Sequence, residues 1–112
     1  MKEKWRDVVG YERLYQVSNL GRVRSLTHIV YRPQSGTNKI LGRLLKCSPS
    51  KIGYPIVTLS RVGRKKKEAV VHRLEAIAFL PKVPRKPHIN HKDGNKANNL
   101  LSNLEWCPHA EN

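Results

Sequence analysis

"HINHKDGNKANNLLSNLEW", residues 88–106, decides how the rest of the chain is read. An apolar start at Ile89, a polar loop and the closing "NLEW" make two short strands joined by a loop, with Asp93 and Gly94 placed for a turn. Asn side chains bond their own backbone and tolerate left-handed φ, so turn-making alone accounts for each Asn taken singly. The spacing asks for more: Asn90 precedes His91, Asn103 follows His91 by twelve residues, and Asn112 follows it by twenty-one.

Working outward, "PKVPRKP" (81–87) is a stiff, cationic connector. Before it, Val71, Leu74, Ile77 and Ala78 recur at helical spacing, and Pro81 stops the helix. His72 opens that helix and reads as a cap or as packed against a sheet. "YPIVTLS" and "EAVV" favour strands around the cationic turn "RVGRKKK", giving a three-stranded type of sheet with one helix. Residues 27–39, with Pro33, Gly36 and "QSGTN", read as a loop or linker. In "LYQVSNLGRVRSL" (14–26) short strands turn at "SNLG", and Arg22 and Arg24 share one face of the second. Trp5 and Trp106 are read as core residues, and His28 receives no role. The fold class is α+β, small antiparallel hairpins with one short helix, in three segments: 1–26, 38–81 and 82–112.

Charge narrows the partners. The 112 residues hold 22 Lys and Arg against 8 Asp and Glu, for a formal +14. Between Glu12 and Glu68 no acidic residue occurs, while thirteen Lys or Arg do. Such a field suits a phosphate backbone, whose neutralisation releases counterions. Arg22, Arg24, Arg64, Lys65, Lys66 and Lys67 are the candidate DNA contacts, through phosphates first. No apolar run reaches bilayer length and "MKEKWRD" leads into no signal-like segment, so a cytoplasmic protein without a membrane partner is expected. Cys47 and Cys107 show no CxxC spacing, in keeping with a reduced compartment. An RNA reader would be expected to display aromatic platforms, and no such motif occurs.

The stretch "HINHKDGNKANNLLSNLEWCPHAEN" resembles the HNH nuclease motif, the ββα-metal (His-Me finger) hairpin of phage and intron homing endonucleases. "WRDVVGYERLYQVSNLGRVRS" resembles the nuclease-associated modular (NUMOD-class) motif that precedes it, and "GYPIVTLSRVGRKKKEAVVHRLEAIAFLP" the segment between. The resemblance covers nearly the whole chain. It implies a divalent-metal-dependent endonuclease that nicks or cuts double-stranded DNA, leaving a 5′ phosphate, with no small-molecule cofactor and a phage or mobile-element context. It places His91 as general base, Asn103 as the residue that ties the loop and helps orient that base, and Asn90 and Asn112 as metal ligands.

The chemistry suits these residue types. An imidazole titrates near neutrality and takes a proton from water. Amide oxygens are hard donors compatible with Mg²⁺ or Mn²⁺, which stabilise charge developing on phosphate oxygens. Both ligand positions are neutral, so Asp93 or Glu111 is a candidate carboxylate, Asp93 reading rather as a turn former. A Zn²⁺ site from His88, His91, Cys107 and His109 fits usual structural-zinc spacing poorly. The alternative function is a non-cleaving DNA-binding module with a degenerate or truncated finger.

Overall fold

Two apolar stripes on one helix organise the chain. In the computed structural model, which describes residues 2–61 and 63–108, α1 (Val71–Phe79) turns Val71, Leu74, Ala78 and Phe79 toward one core and Ala76 toward another. The helix runs where the Val71, Leu74, Ile77 and Ala78 spacing predicts and ends two residues before Pro81, but Ile77 faces solvent instead of the core. Val70 precedes it without a side-chain cap, so packing rather than capping holds its first turn.

The first core is shared by two sheets. β1 (Trp5–Asp7), β2 (Tyr15–Ser18) and β3 (Val23–Ser25) form one antiparallel sheet in that order. Alternation along β2 buries Tyr15 and Val17, which meet Val8, Val23, Val57, Leu59 and Val71. Each such buried aliphatic side chain contributes about 1.5–3 kcal/mol.

β4 (His28–Arg32) and β5 (Gly36–Ile40) pair antiparallel as a separate two-stranded ribbon. This corrects the reading of residues 27–39 as a loop. Pro33 to Gly36 are only its tip, where Ser35 N–H donates to Arg32 O at 3.1 Å and Gly36 takes φ +75°. Ile29, Val30 and Tyr31 before the tip favour extended backbone, and the turn residues masked that signal.

At the root the ribbon is anchored tightly. Ser25 N–H donates to Arg43 O at 2.8 Å and Leu45 N–H to Val23 O at 2.8 Å, prolonging β3. Gly42 is required here, because a Cβ would collide with the Ser25 carbonyl.

β6 (Ser48–Pro49), β7 (Pro55–Leu59) and β8 (Lys67–Val70) form the second antiparallel sheet, the three-stranded unit that carries α1. The second core, Ala76, Ile89 and Leu104 with Leu80 and Trp106 against it, fixes the last hairpin on α1: β9 (His88–His91) and β10 (Leu104–Cys107). Trp106 packs as read. Trp5 differs: it is half-buried beneath two arginines.

Glu75 of α1 is fully buried, and neither carboxyl oxygen has a partner among the described residues. Burial pushes its pKa up to about 8, so it is neutral at pH 7. No helix of the described residues is long and apolar enough to cross a membrane.

Candidate active site

The site is built on the end of β9. Alternation sends Ile89 into the second core and buries His91 on the same side, while Asn90 lies on the other, opposite Glu105 of β10. Past the strand, Gly94 N–H donates to His91 O at 2.8 Å and closes the turn, with Gly94 at φ +76°.

Asn103 and Asp93 fasten this loop to each other. Asn103 Oδ1 accepts from Asp93 N–H at 3.1 Å, and its Nδ2 donates to Asp93 Oδ1 at 3.0 Å and to Asn98 O at 2.9 Å. Asp93 also accepts from Asn95 N–H at 2.8 Å and Asn98 Nδ2 at 2.8 Å. The Asn98 amide first, then Asn95 N–H and the Asn103 amide, holds the Asp93 carboxyl below the usual carboxylate range. Asp93 thus acts as a turn former.

The direct bond to His91 comes from Asn99, which the sequence reading did not single out. His91 Nε2 lies 2.8 Å from Asn99 Oδ1, and both residues are buried. An amide oxygen only accepts, so Nε2 is the donor in this bond, and whenever the ring is neutral its lone pair lies on Nδ1. That is the tautomer a general base acting through Nδ1 requires.

His72 and Tyr54 complete the surroundings. His72 does not cap α1; its ring centroid lies 4.7 Å from that of His91 and 4.9 Å from that of Tyr54, which stacks on His91 at 5.8 Å. Lys96 places its ammonium 5.0 Å from the Tyr54 ring centroid and donates to Ile52 O at 2.8 Å. Burial first, then the charge of His91 and Arg73, brings the His72 pKa down to about 4. Sequence spacing gives no sign of this cluster, because α1 brings its members together.

The donor set suits a hard divalent cation. Asn90 Nδ2 donates to Glu105 Oε1 at 3.1 Å, which turns the amide so that Oδ1 remains as an oxygen donor beside a carboxylate. Glu105 is thus a carboxylate beside Asn90 that the sequence reading did not consider, whereas Asp93 is taken up by the turn. Asn112, Glu111 and His109 lie outside the described residues. Among the described residues no group of three His, Cys, Asp or Glu gathers closely enough to hold a metal, so His88, His91 and Cys107 do not assemble the zinc alternative.

The candidate DNA contacts fall into two places. Arg22 and Arg24 do share a face: their guanidinium carbons lie 5.9 and 4.1 Å from the Trp5 ring centroid. Arg24 also donates to Gln16 Oε1, at 2.6 Å through one NH₂ group, and Arg22 forms an ion pair with Glu3. Arg64, Lys65 and Lys66 are exposed at the turn between β7 and β8, and Lys67 is exposed at the start of β8. Arg43, not singled out from sequence, lines clefts on both sides and links the two sets.

Comparison with known proteins agrees with this layout. A model for the NUMOD4 motif matches residues 3–60, and a model for HNH endonuclease matches residues 69–112. The chain belongs to the HNH endonuclease family.

Within that family it is 41% identical to DNA endonuclease I-HmuI of Bacillus phage SP01, over 92% of this chain and 51% of that protein. It is 38% identical to HNH endonuclease L245 of Acanthamoeba polyphaga mimivirus, over 100% of this chain and 29% of the relative. The solved structure of the HNH homing endonuclease I-HmuI, whose subject is DNA binding and cleavage, matches with a TM-score of 0.74, covering 94% of this chain and 52% of that one. The chain therefore spans about half the length of I-HmuI, and its small antiparallel sheets with one helix match that fold.

Proposed function

We propose that this HNH endonuclease chain hydrolyses phosphodiester bonds of duplex DNA, by nicking or cutting, with the β9–β10 hairpin as a ββα-metal site. The observation that carries the reading is the 2.8 Å bond between His91 Nε2 and Asn99 Oδ1, which leaves Nδ1 to take a proton from water. Similarity to I-HmuI supports DNA as substrate and is in keeping with an intracellular site of action.

In this scheme a water beside His91 Nδ1 loses its proton to that nitrogen as its oxygen attacks phosphorus. The P–O3′ bond breaks, the departing O3′ takes a proton from solvent to become a 3′ hydroxyl, and the phosphate stays on O5′ of the downstream nucleotide as a 5′ phosphate. Asn99 keeps the imidazole in the accepting tautomer, and Asn103 with Asp93 holds the loop that presents Asn99. Tyr54 and His72 wall the ring and limit its rotation. Asn90, with Glu105 beside it and Asn112 by family resemblance, would hold Mg²⁺ or Mn²⁺, which supplies Lewis-acid stabilisation of the phosphate and leaving oxygen.

The test is conversion of supercoiled plasmid to nicked or linear DNA with Mg²⁺, Mn²⁺ or chelator, comparing wild type with His91→Ala. Metal-dependent cleavage that is lost in the variant while DNA affinity persists is the expected result. A wild type that binds plasmid but leaves it intact with each metal would establish a non-cleaving DNA-binding module instead. Equal loss of binding and cleavage in His91→Ala would remove His91 as the base.

A further inference from the structure

The scheme above gives no task to Lys96, although its side chain is held at three points. Its ammonium donates to Ile52 O at 2.8 Å and lies 5.0 Å from the Tyr54 ring centroid. Its stem crosses Gly53, where a Cβ would stand 3.7 Å from Lys96 Cδ. The receiving turn is itself closed: Gly53 N–H donates to Ser50 O at 3.0 Å, Tyr54 N–H donates to Ser50 Oγ at 3.1 Å, and Gly53 takes φ +91°. Lys96 is nevertheless exposed. Fixing a flexible, solvated lysine costs rotamer entropy, and one hydrogen bond in contact with water returns little of it.

We propose that Lys96 is a phosphate-binding residue of the nuclease site, seating the backbone phosphate that adjoins the attacked one on the cleaved strand. The inference rests on the reading of His91 as the general base. Place, charge and donor capacity select this ligand.

Tyr54 links the two side chains: its ring centroid lies 5.8 Å from that of His91 and 5.0 Å from Lys96 Nζ. The ammonium is therefore no farther from the imidazole than those two steps together. A phosphorus about 3–3.5 Å from a water hydrogen-bonded to His91 falls in the same span. The next phosphate of the strand, about 3.4 Å further along the helix axis, is then within reach of Lys96. The attacked phosphate is the one that a cation held by Asn90 would neutralise, which leaves the adjoining one for the lysine.

Charge and donors agree with this placement. Among the described residues no carboxylate lies within ion-pair distance of Lys96. Asp93, the carboxylate of the same loop, is taken up by Asn95, Asn98 and Asn103. An ammonium has three N–H donors; Ile52 O takes one and the Tyr54 ring faces the group, which leaves a donor for a nonbridging oxygen. The seat exists only where the turn before β7 meets the loop between β9 and β10.

The experiment maps the cleaved bond in a duplex. It then compares wild type, Lys96→Met and Lys96→Arg for affinity, steady-state cleavage and melting, on duplexes with a single neutral methylphosphonate at each phosphate near that bond. Methionine keeps a stem over Gly53 and removes the charge, so melting should change little. Lys96→Met is expected to weaken binding and raise KM about three- to tenfold, to lower kcat less than about threefold, and to flatten the log-log salt dependence by about 0.9. Lys96→Arg should restore most of the affinity. With the methylphosphonate at the adjoining phosphate, wild type and Lys96→Met should bind alike, because the partner of the charge is gone. A penalty that persists at that position, or vanishes only at a remote phosphate, overturns the assignment. So does a joint fall in melting temperature and kcat with the salt slope intact, which would make Lys96 a latch between turn and loop. Unchanged affinity and KM in Lys96→Met, with cleavage by the wild type, sinks the assignment and leaves the nuclease reading intact. A wild type that cleaves no duplex with Mg²⁺ or Mn²⁺ removes that reading, and the assignment with it.

Discussion

Gly21 lies directly against Asn99. A Cβ on Gly21 would stand 2.6 Å from Asn99 Cβ and 2.9 Å from its carbonyl oxygen, and Gly21 takes φ +84° in the turn that joins β2 to β3. The turn of the N-terminal motif is thus the floor on which the partner of His91 rests. Gly21→Ala must push Asn99 away and strain the turn, at a cost on the order of 1–3 kcal/mol. We expect plasmid nicking to slow by at least tenfold while duplex affinity changes little; unchanged kinetics would show that the loop absorbs the methyl group.

Asn99 is a positioning residue, because it acts through His91. Asn99→Ala leaves the imidazole free to change tautomer and should lower kcat about 10–100-fold with KM nearly constant. Steady-state kinetics on a short duplex separate the two. A rise in KM with kcat preserved would assign Asn99 to DNA binding instead.

Glu75 makes stability depend on pH. Its pKa is raised to about 8 in the folded protein from an ordinary value near 4.5, so the stability present below pH 4.5 declines as pH rises toward 8. His72, depressed to about 4, acts in the opposite sense, losing stability as pH falls below about 6.5. Subtracting two unfolding series isolates the carboxyl: the stability advantage of Glu75→Leu over wild type should grow between about pH 5 and pH 8 by on the order of a few kcal/mol, with a parallel rise in relative Tm. A difference independent of pH would mean that Glu75 ionises while buried.

Glu3 occupies Arg22 as a phosphate would. Its carboxyl is held down at about 2, chiefly by the hydrogen bond from Arg22. Glu3→Gln should release Arg22 to DNA, raising affinity about two- to fivefold at low salt and steepening the log-log salt dependence by about 0.9. Weaker binding in a salt titration would instead make the pair a support that orients Arg22.

Much of this arrangement was legible in the residues. The Val71, Leu74, Ile77 and Ala78 spacing with Pro81 delimited α1 although Ile77 is exposed, "HINH" and "NLEW" located β9 and β10, and "SNLG" located the first turn. Asn103 ties the loop through Asp93 and Asn98, whereas the side chain that bonds His91 is that of Asn99. Periodicity states which side of an element is apolar but not what covers it. The meeting of His72, Tyr54 and His91, and that of Gly21 with Asn99, arise from packing between elements and leave no local signal. The β4–β5 arm was missed for a different reason: a ribbon with few apolar partners lacks clear hydrophobic alternation, so its tip residues dominate the reading.

The hydrogen bond from Leu101 N–H to Asn19 O, at 2.9 Å, has a bearing on recombination and engineering. A two-stranded hairpin is marginal alone in water. Here β9–β10 leans on α1 on one side and, through its loop, on the "SNLG" turn on the other. A crossover at the proline-rich connector would therefore transplant the chemical groups without the bed that aligns them. Chimaeras that keep the first three strands and the nuclease hairpin from one parent should stay active, and the arm between Thr27 and Gly42 is where sequence can be exchanged at least cost.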